Sequence, residues 1–516
     1  MNLNFLHRRR WWLAFLGVGI LLNGLAVINS DLGLDVHVRL NVANDENNMG
    51  PDYPWGPTRW ADSDVQMPFS SGEYEGYIGP WYSSPIAVQV VSFLSIVILS
   101  LLAGYVPAWR REKNSPVFEP MWSALVAWSP CLMFATGRGY DEAILAIVLG
   151  ISVVWLFFVD GSKTRHLRVG ILMMATSVMC VLGWKGFGPL TAFVAWLAVI
   201  AVGNLWLIVD ERISHSDKVP ITQHPWLMGG IFFGTTLAGI TLIGWLGYGG
   251  TFSVIQDYPW VFLLSLPFSF LDGIILFLLI GFCFWPFFNP SNRMMALRGR
   301  TVTMLSCFCA IIGAGIVAYI GALWTLESQL WNISLFQCML VLGNNGRYAT
   351  ILVLPLLMLL HLSQTDENGS EDSLKENVST KSLFIALLIL LPVVFFTAFH
   401  GQQLWQEDAG SSLAVALEGE NQSFLLISDE SLAMHSLYVL KTNTDLDGSS
   451  NLNGYWRSPN LANEFLNGSE VDAIIIAPGV DFVIDVESWS AHTAQSTPFS
   501  ISSGSSNDEW ILYLPS

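Results

Sequence analysis

Polar residues along this chain are sparse and bunched, and between the bunches run apolar stretches of membrane-crossing length. Stretches near the twenty or so residues that cross a hydrocarbon core lie at roughly 11–29, 84–108, 117–136, 142–159, 169–184, 189–209, 226–248, 260–285, 301–324, 340–362 and 382–400. The pattern predicts a polytopic α-helical membrane protein with about eleven transmembrane helices. The first stretch follows "HRRR" and continues without a small-residue cleavage site, so it reads as a retained helix with a cytoplasmic amino terminus. After residue 400 the pattern changes. Short β-branched and aromatic runs ("SFLLIS", "SLYVLKT", "DAIIIAP", "DFVIDV", "EWILYL") alternate with Gly, Asn, Asp and Ser clusters, which predicts a small β-rich domain over 401–516. Residues 1–400 then form one multi-spanning membrane domain, with a long first external loop at 30–83 and a polar, Ser-rich cytoplasmic linker at 363–381.

Composition and charge sharpen this reading. Only 12% of the residues are charged, against about 25% in soluble domains. With eleven spans alternating from a cytoplasmic start, 16 of the 23 basic residues fall on the inside, as the positive-inside rule requires. The tail is then external, and its 16 acidic residues face only Lys441 and Arg457. Such a surface excludes nucleic acid as a partner and reads as a solvated domain held clear of acidic headgroups. All six cysteines fall in or beside the apolar stretches, so no disulfide framework is expected. Sequons stand at Asn332, Asn368, Asn377, Asn421 and Asn467, three of them outside the cytoplasmic linker. "DLDGSSNLNG" at 445–454 hints at a calcium loop but lacks the closing Glu spacing of an EF-hand, and a polar turn is the better reading.

Ionisable groups gather on the expected external face. Directly after the first span comes "SDLGLDVHVRL" with Asp31, Asp35, His37 and Arg39, followed by the Trp- and Pro-rich "DYPWGPTRW"; the second external turn, "GRGYDEA", supplies Arg138, Asp141 and Glu142. Later turns add Lys185 in "GWKGFGP", Asp257 in "QDYPW", Glu327 in "TLES", and Arg347 and Tyr348 in "NNGRYATILVLP". Each has a plainer role: Asp141 and Glu142 as helix-start carboxylates, Arg347 and Lys185 as side chains snorkelling to headgroups. Together, carboxylates in two successive loops and cations at later helix ends suit the departure of a phosphate. A carboxylate, Asp35 first, deprotonates an acceptor that attacks an anomeric carbon with inversion, and the cations stabilise the leaving lipid phosphate.

These residues resemble the GT-C superfamily of integral-membrane glycosyltransferases, which includes protein O-mannosyltransferases, aminoarabinose transferases and oligosaccharyltransferase catalytic subunits. The resemblance rests on "DVHVR", "GRGYDEA", "GRY....LP", the span count and the external tail. It implies a sugar carried on polyprenyl or dolichyl phosphate or pyrophosphate and an external acceptor that is a protein, lipid or glycan. It assigns Asp35, Asp141 and Glu142 to catalysis, and His37, Arg39, Arg138, Lys185, Glu327, Arg347 and Tyr348 to substrate binding. It leaves open a divalent cation, Mg or Mn, for which Asp35, Asp141 and Glu327 would be the ligands. Asp272, the one acid near the middle of a span, supports a different class, a secondary transporter or lipid flippase.

Overall fold

In a computed structural model the protein is mostly helical, with a small sheet near its carboxyl end. The structure describes residues 9–44, 77–109, 118–158, 163–213, 220–248, 250–281, 297–330, 333–341, 346–364, 380–401, 403–417, 419, 422–428, 433–450, 452–485, 487–496 and 509–516. "DYPWGPTRW", most of the 363–381 linker, Cys283 and the sequons at Asn332, Asn368, Asn377 and Asn421 lie outside the described residues. Among those described, eight helices are long and apolar enough to cross a membrane, from Arg10–Asn29 to Gly346–Ser363. Two further apolar helices, Glu142–Phe158 and Thr380–Phe399, have shorter apolar stretches.

Proline explains where the helices depart from the expected spans. The stretch expected at 117–136 is two eight-residue helices, Pro120–Ala127 and Pro130–Gly137. Pro130 has no N–H to continue the first helix and disfavours helical backbone at Ser129; Ser129 instead caps the second helix, its Oγ accepting from Leu132 N at 3.4 Å. In the expected 260–285 span, Pro267 sits inside the helix Pro259–Phe270, and the chain then runs as a π-helix over Leu271–Gly281.

The chain divides into two compact units. The first comprises Met1–Ile28, Ser92–Thr325 and Gly343–His400. In it the ring of Trp128 stacks on Phe15 at 4.1 Å, and Asn23 Nδ2 donates to Ala127 O at 2.7 Å. Gly19 is required at that crossing, since a Cβ there would lie 2.7 Å from the Trp128 ring.

The second unit comprises Asn29–Val91, Leu326–Leu342 and Gly401–Ser516. It takes in the first loop and the 326–342 segment together with the tail, in place of a single cut at residue 400. Its sheet has strands β1 (Ser423–Ile427), β2 (Asn453–Arg457), β3 (Ala473–Ile476), β4 (Trp489–Ser496) and β5 (Glu509–Pro515) in the order β2-β1-β3-β5-β4. β1 runs parallel to β2 and β3, and β5 is antiparallel to β3 and β4. The sheet expected in the tail is thus present, and helices pack with it. "SLYVLKT" is not a strand: it lies in the helix Ala433–Thr444, because parallel strands need a crossover of about a dozen residues. "DFVIDV" is likewise not a strand among the described residues. Both faces of β1 and β3 are covered, which is why they read as unbroken apolar runs. Phe424, Leu426 and Ile475 pack with Leu413 and Leu440 on one face; Leu425, Ile427 and Ile474 pack with Ala462 and Phe465 on the other.

The described residues 445–450 form a polar turn. Asp445 Oδ1 accepts from Ser450 N at 2.8 Å and Oδ2 from Leu452 N at 3.1 Å, while Asp447 Oδ1 accepts from Ser449 N at 3.1 Å. The hydroxyl and amide of Ser449 hold the Asp447 carboxyl below the usual range. Asp445→Ala leaves two backbone amides without their acceptors, and we expect it to destabilise the second unit by about 1–3 kcal/mol. The check is faster hydrogen exchange in β1 and β2 of the detergent-solubilised full chain; unchanged protection would refute it.

Candidate functional site

Two glycine turns bring charged side chains together in the first unit. After Pro130–Gly137, Gly139 adopts φ +71°, so that Tyr140 N can bond to Ala135 O at 2.9 Å and Gly139 N to Thr136 O at 3.1 Å. This helix-ending motif reverses the chain and sets Asp141 and Glu142 at the start of the next helix. The helix Thr164–Trp184 ends the same way at Gly186, φ +81°, with Phe187 N bonded to Leu182 O at 3.1 Å, which places Lys185 in the turn. The third contributor is the short helix Gly346–Ala349, which carries Arg347 and Tyr348.

Glu142, fully buried, is the centre of this cluster. Its Oε1 accepts from Lys185 Nζ at 3.1 Å and lies 3.9 Å from Arg347 Nε. Arg347 is sandwiched by aromatics, its Cζ 3.7 Å from the Tyr140 ring centroid and 4.8 Å from that of Tyr348, and its Nη2 donates to the Tyr348 hydroxyl at 2.9 Å. Lys185 Nζ is 5.4 Å from the same Tyr348 ring. Tyr348 meets Tyr319 edge-on at 5.3 Å, and Tyr319 continues to Phe187 at 5.6 Å. Asp141, also buried, accepts from Trp184 Nε1 at 2.9 Å. Arg138, in the same turn as Asp141, is 6% exposed, and its Nε has no hydrogen-bond partner among the described residues.

Of the residues singled out in the sequence, Asp141, Glu142, Lys185, Arg347 and Tyr348 therefore converge. Of Glu142, singled out as catalytic, Oε1 is engaged by two cations, Lys185 and Arg347. Sequence reasoning passed over Tyr140, Trp184 and Tyr319; the first two adjoin the glycine turns, which was the available signal.

Asp35, His37, Arg39 and Glu327 belong to the second unit. There "LDVHVRLNVAN", within the first loop, is a helix, Leu34–Asn44, and it packs on the helix Ala433–Thr444 of the tail. Asn41 Nδ2 donates to Tyr438 O at 3.0 Å and to Thr442 Oγ1 at 2.9 Å. His37 is buried with Nε2 2.9 Å from Glu407 Oε1, close but not aligned as a hydrogen bond, and Arg39 Nη1 donates to the Tyr82 hydroxyl at 2.8 Å. His37 and Arg39 thus serve to dock this helix within its unit. Asp35 is different: its side chain is 52% exposed, and Oδ1 lies 3.6 Å from His435 Nε2. Glu327 is within electrostatic reach of Asp35.

The divalent cation that the resemblance left open would take Asp35, Asp141 and Glu327 as its ligands. No three His, Cys, Asp or Glu side chains are grouped to hold a metal among the described residues.

Asp272 stands in the π-helical segment, 3% exposed, with Oδ2 buried and lacking a hydrogen-bond partner among the described residues. Its backbone adjoins Gly346, the residue before Arg347. No family model, curated protein or solved structure matches this chain.

Proposed function

We propose that the protein is an integral-membrane glycosyltransferase of the GT-C kind, with about eleven spans. It would move a sugar from a polyprenyl- or dolichyl-phosphate carrier to an external protein, lipid or glycan acceptor. The observation that carries this reading is the Glu142–Lys185–Arg347 cluster walled by Tyr140, Tyr348 and Tyr319. Buried ions cost several kcal/mol each in desolvation, and well-packed apolar residues could hold the helices as firmly. A cluster of this kind is accounted for by a charge it must meet. Cations beside aromatic rings suit a phosphate joined to a sugar.

In the reaction the acceptor oxygen or nitrogen bonds to the anomeric carbon as the bond from that carbon to phosphate oxygen breaks. The electron pair leaves with the lipid phosphate and is stabilised by Arg347 and Lys185. The acceptor's proton goes to a carboxylate, the role that the sequence reading gives to Asp35; Glu142 is held between cations. No metal step is invoked. The test is transfer of radiolabelled sugar from polyprenyl-phosphate donors in reconstituted liposomes. Transfer should be lost in Asp35→Asn and retained in Asp272→Asn.

A second reading, a secondary transporter or lipid flippase, is supported by the buried Asp272 in its π-helical segment. An absence of transfer from any donor, together with solute or lipid movement that depends on Asp272, would replace the first reading with this one.

A further inference from the structure

The second unit presents the sequon Asn467–Gly468–Ser469 where the helix Pro459–Gly468 gives way to the loop before β3. This helix is two-faced. Ala462, Phe465 and Leu466 pack with Leu425, Ile427 and Ile474 of the sheet, while Asn463, Glu464, Asn467 and Gly468 are exposed. Residues three or four apart share a helix face, so Asn467 stands in line with Asn463 and Glu464 on the side turned away from the sheet.

The tripeptide is open on every count that an acceptor needs. The Asn467 carboxamide and the Ser469 hydroxyl form no hydrogen bond with the described residues, and both residues are exposed. A Cβ placed on Gly468 would meet nothing within 4 Å. At Ser469 the backbone is already extended, φ −138° and ψ 136°, and the asparagine is in the last turn of its helix, where ends fray. The asparagines that hold this unit together are arranged in the opposite way: Asn41 and Asn443 donate from Nδ2 to Tyr438 O and Val439 O, each at 3.0 Å.

We propose that Asn467 is an N-glycosylation site, modified from a lipid-diphosphate-linked oligosaccharide by a sequon-reading transferase of the same membrane. Asn467 Nδ2 bonds to the anomeric carbon of the donor as the bond from that carbon to the diphosphate oxygen breaks. The electron pair leaves with the lipid diphosphate, and the amide proton passes to a base of that transferase. The modification requires the tail on the external face, the side that the count of basic residues gives it. It is independent of either reading of the Glu142 cluster.

The test is peptide mass spectrometry of the full chain purified from the membrane of the cell that makes it. The peptide containing Asn467 should carry an added mass of sugar residues. Asn467→Gln and Ser469→Ala, both at exposed positions, should lose that mass entirely, and Ser469→Thr, which keeps the hydroxyl, should retain it. A second measurement separates the site from the placement of the tail: Val483→Cys, at a position 85% exposed in a tail without cysteines, should react in intact cells with a membrane-impermeant maleimide. Labelling of Val483→Cys with Asn467 bare would overturn the site alone, and no labelling with Asn467 bare would overturn the external tail and the site together. An added mass that survives Ser469→Ala would also overturn it, since the modification would then not read the sequon.

Discussion

Arg347→Ala is expected to lower kcat for sugar transfer from a polyprenyl-phosphate donor by about 10²–10³-fold, the effect of removing one donor aimed at developing negative charge. The guanidinium is already fixed before any ligand arrives: Tyr140 and Tyr348 flank it, the Tyr348 hydroxyl accepts from it, and Glu142 lies 3.9 Å away. Arg347→Lys should rescue little, because an ammonium cannot reproduce a planar fork held between two rings. The single substitution also leaves Glu142 with Lys185 as its remaining cation, so lost activity could reflect a disturbed fold. Glu142→Gln combined with Arg347→Ala separates the two causes. If the double variant folds and stays inactive, Arg347 acts on the transferred group; if transfer returns, Arg347 was needed only to neutralise Glu142 and the proposed phosphate contact is wrong.

The charged half of this cluster was legible in the sequence because Glu142, Lys185 and Arg347 stand at the ends of apolar runs, where an ionisable residue is conspicuous. The glycines that deliver them were visible too, in "GRGYDEA" and "GWKGFGP". The aromatic wall was not, since Tyr140 and Tyr319 are two of many aromatics in an apolar background and only contact distinguishes them. "DVHVR" shows a related limit. Within the first external loop His37 and Arg39 sit on a helix, and the groups they meet, Glu407 and Tyr82, are distant in sequence. In the tail, local propensity made "SLYVLKT" a strand, and the parallel pairing of β1 with β2 made it the crossover helix between them. Local pattern fixes neither long-range pairing nor which charges it will satisfy.

Asp210 is the sharpest case of such a pairing, and Asp210→Ala is expected to cost about 3–5 kcal/mol of stability, as for one partner removed from a buried pair. Nothing in "LWLIVDERISH" marks this aspartate as different from its neighbour Glu211, yet it is fully buried. Arg300 Nε donates to its Oδ2 at 2.6 Å, and Thr222 Oγ1 and Gln223 Nε2 donate to Oδ1 at 2.5 Å and 3.2 Å. Arg300 Nη1 then reaches Thr164 Oγ1 at 3.3 Å, and Gly299 N bonds to Gln223 O at 3.3 Å. One carboxylate thus ties together the ends of three helices and the 221–223 turn. The measurement is the unfolding midpoint of the purified chain in mixed detergent and sodium dodecyl sulfate. Replacing both partners, Asp210→Leu with Arg300→Met, should cost less than Asp210→Ala alone, because no charge is then stranded in an apolar surround. A loss below about 1 kcal/mol in Asp210→Ala, the range of an exposed ion pair, would mean that water already reaches this cluster and that apolar packing, not the carboxylate, holds the helix ends.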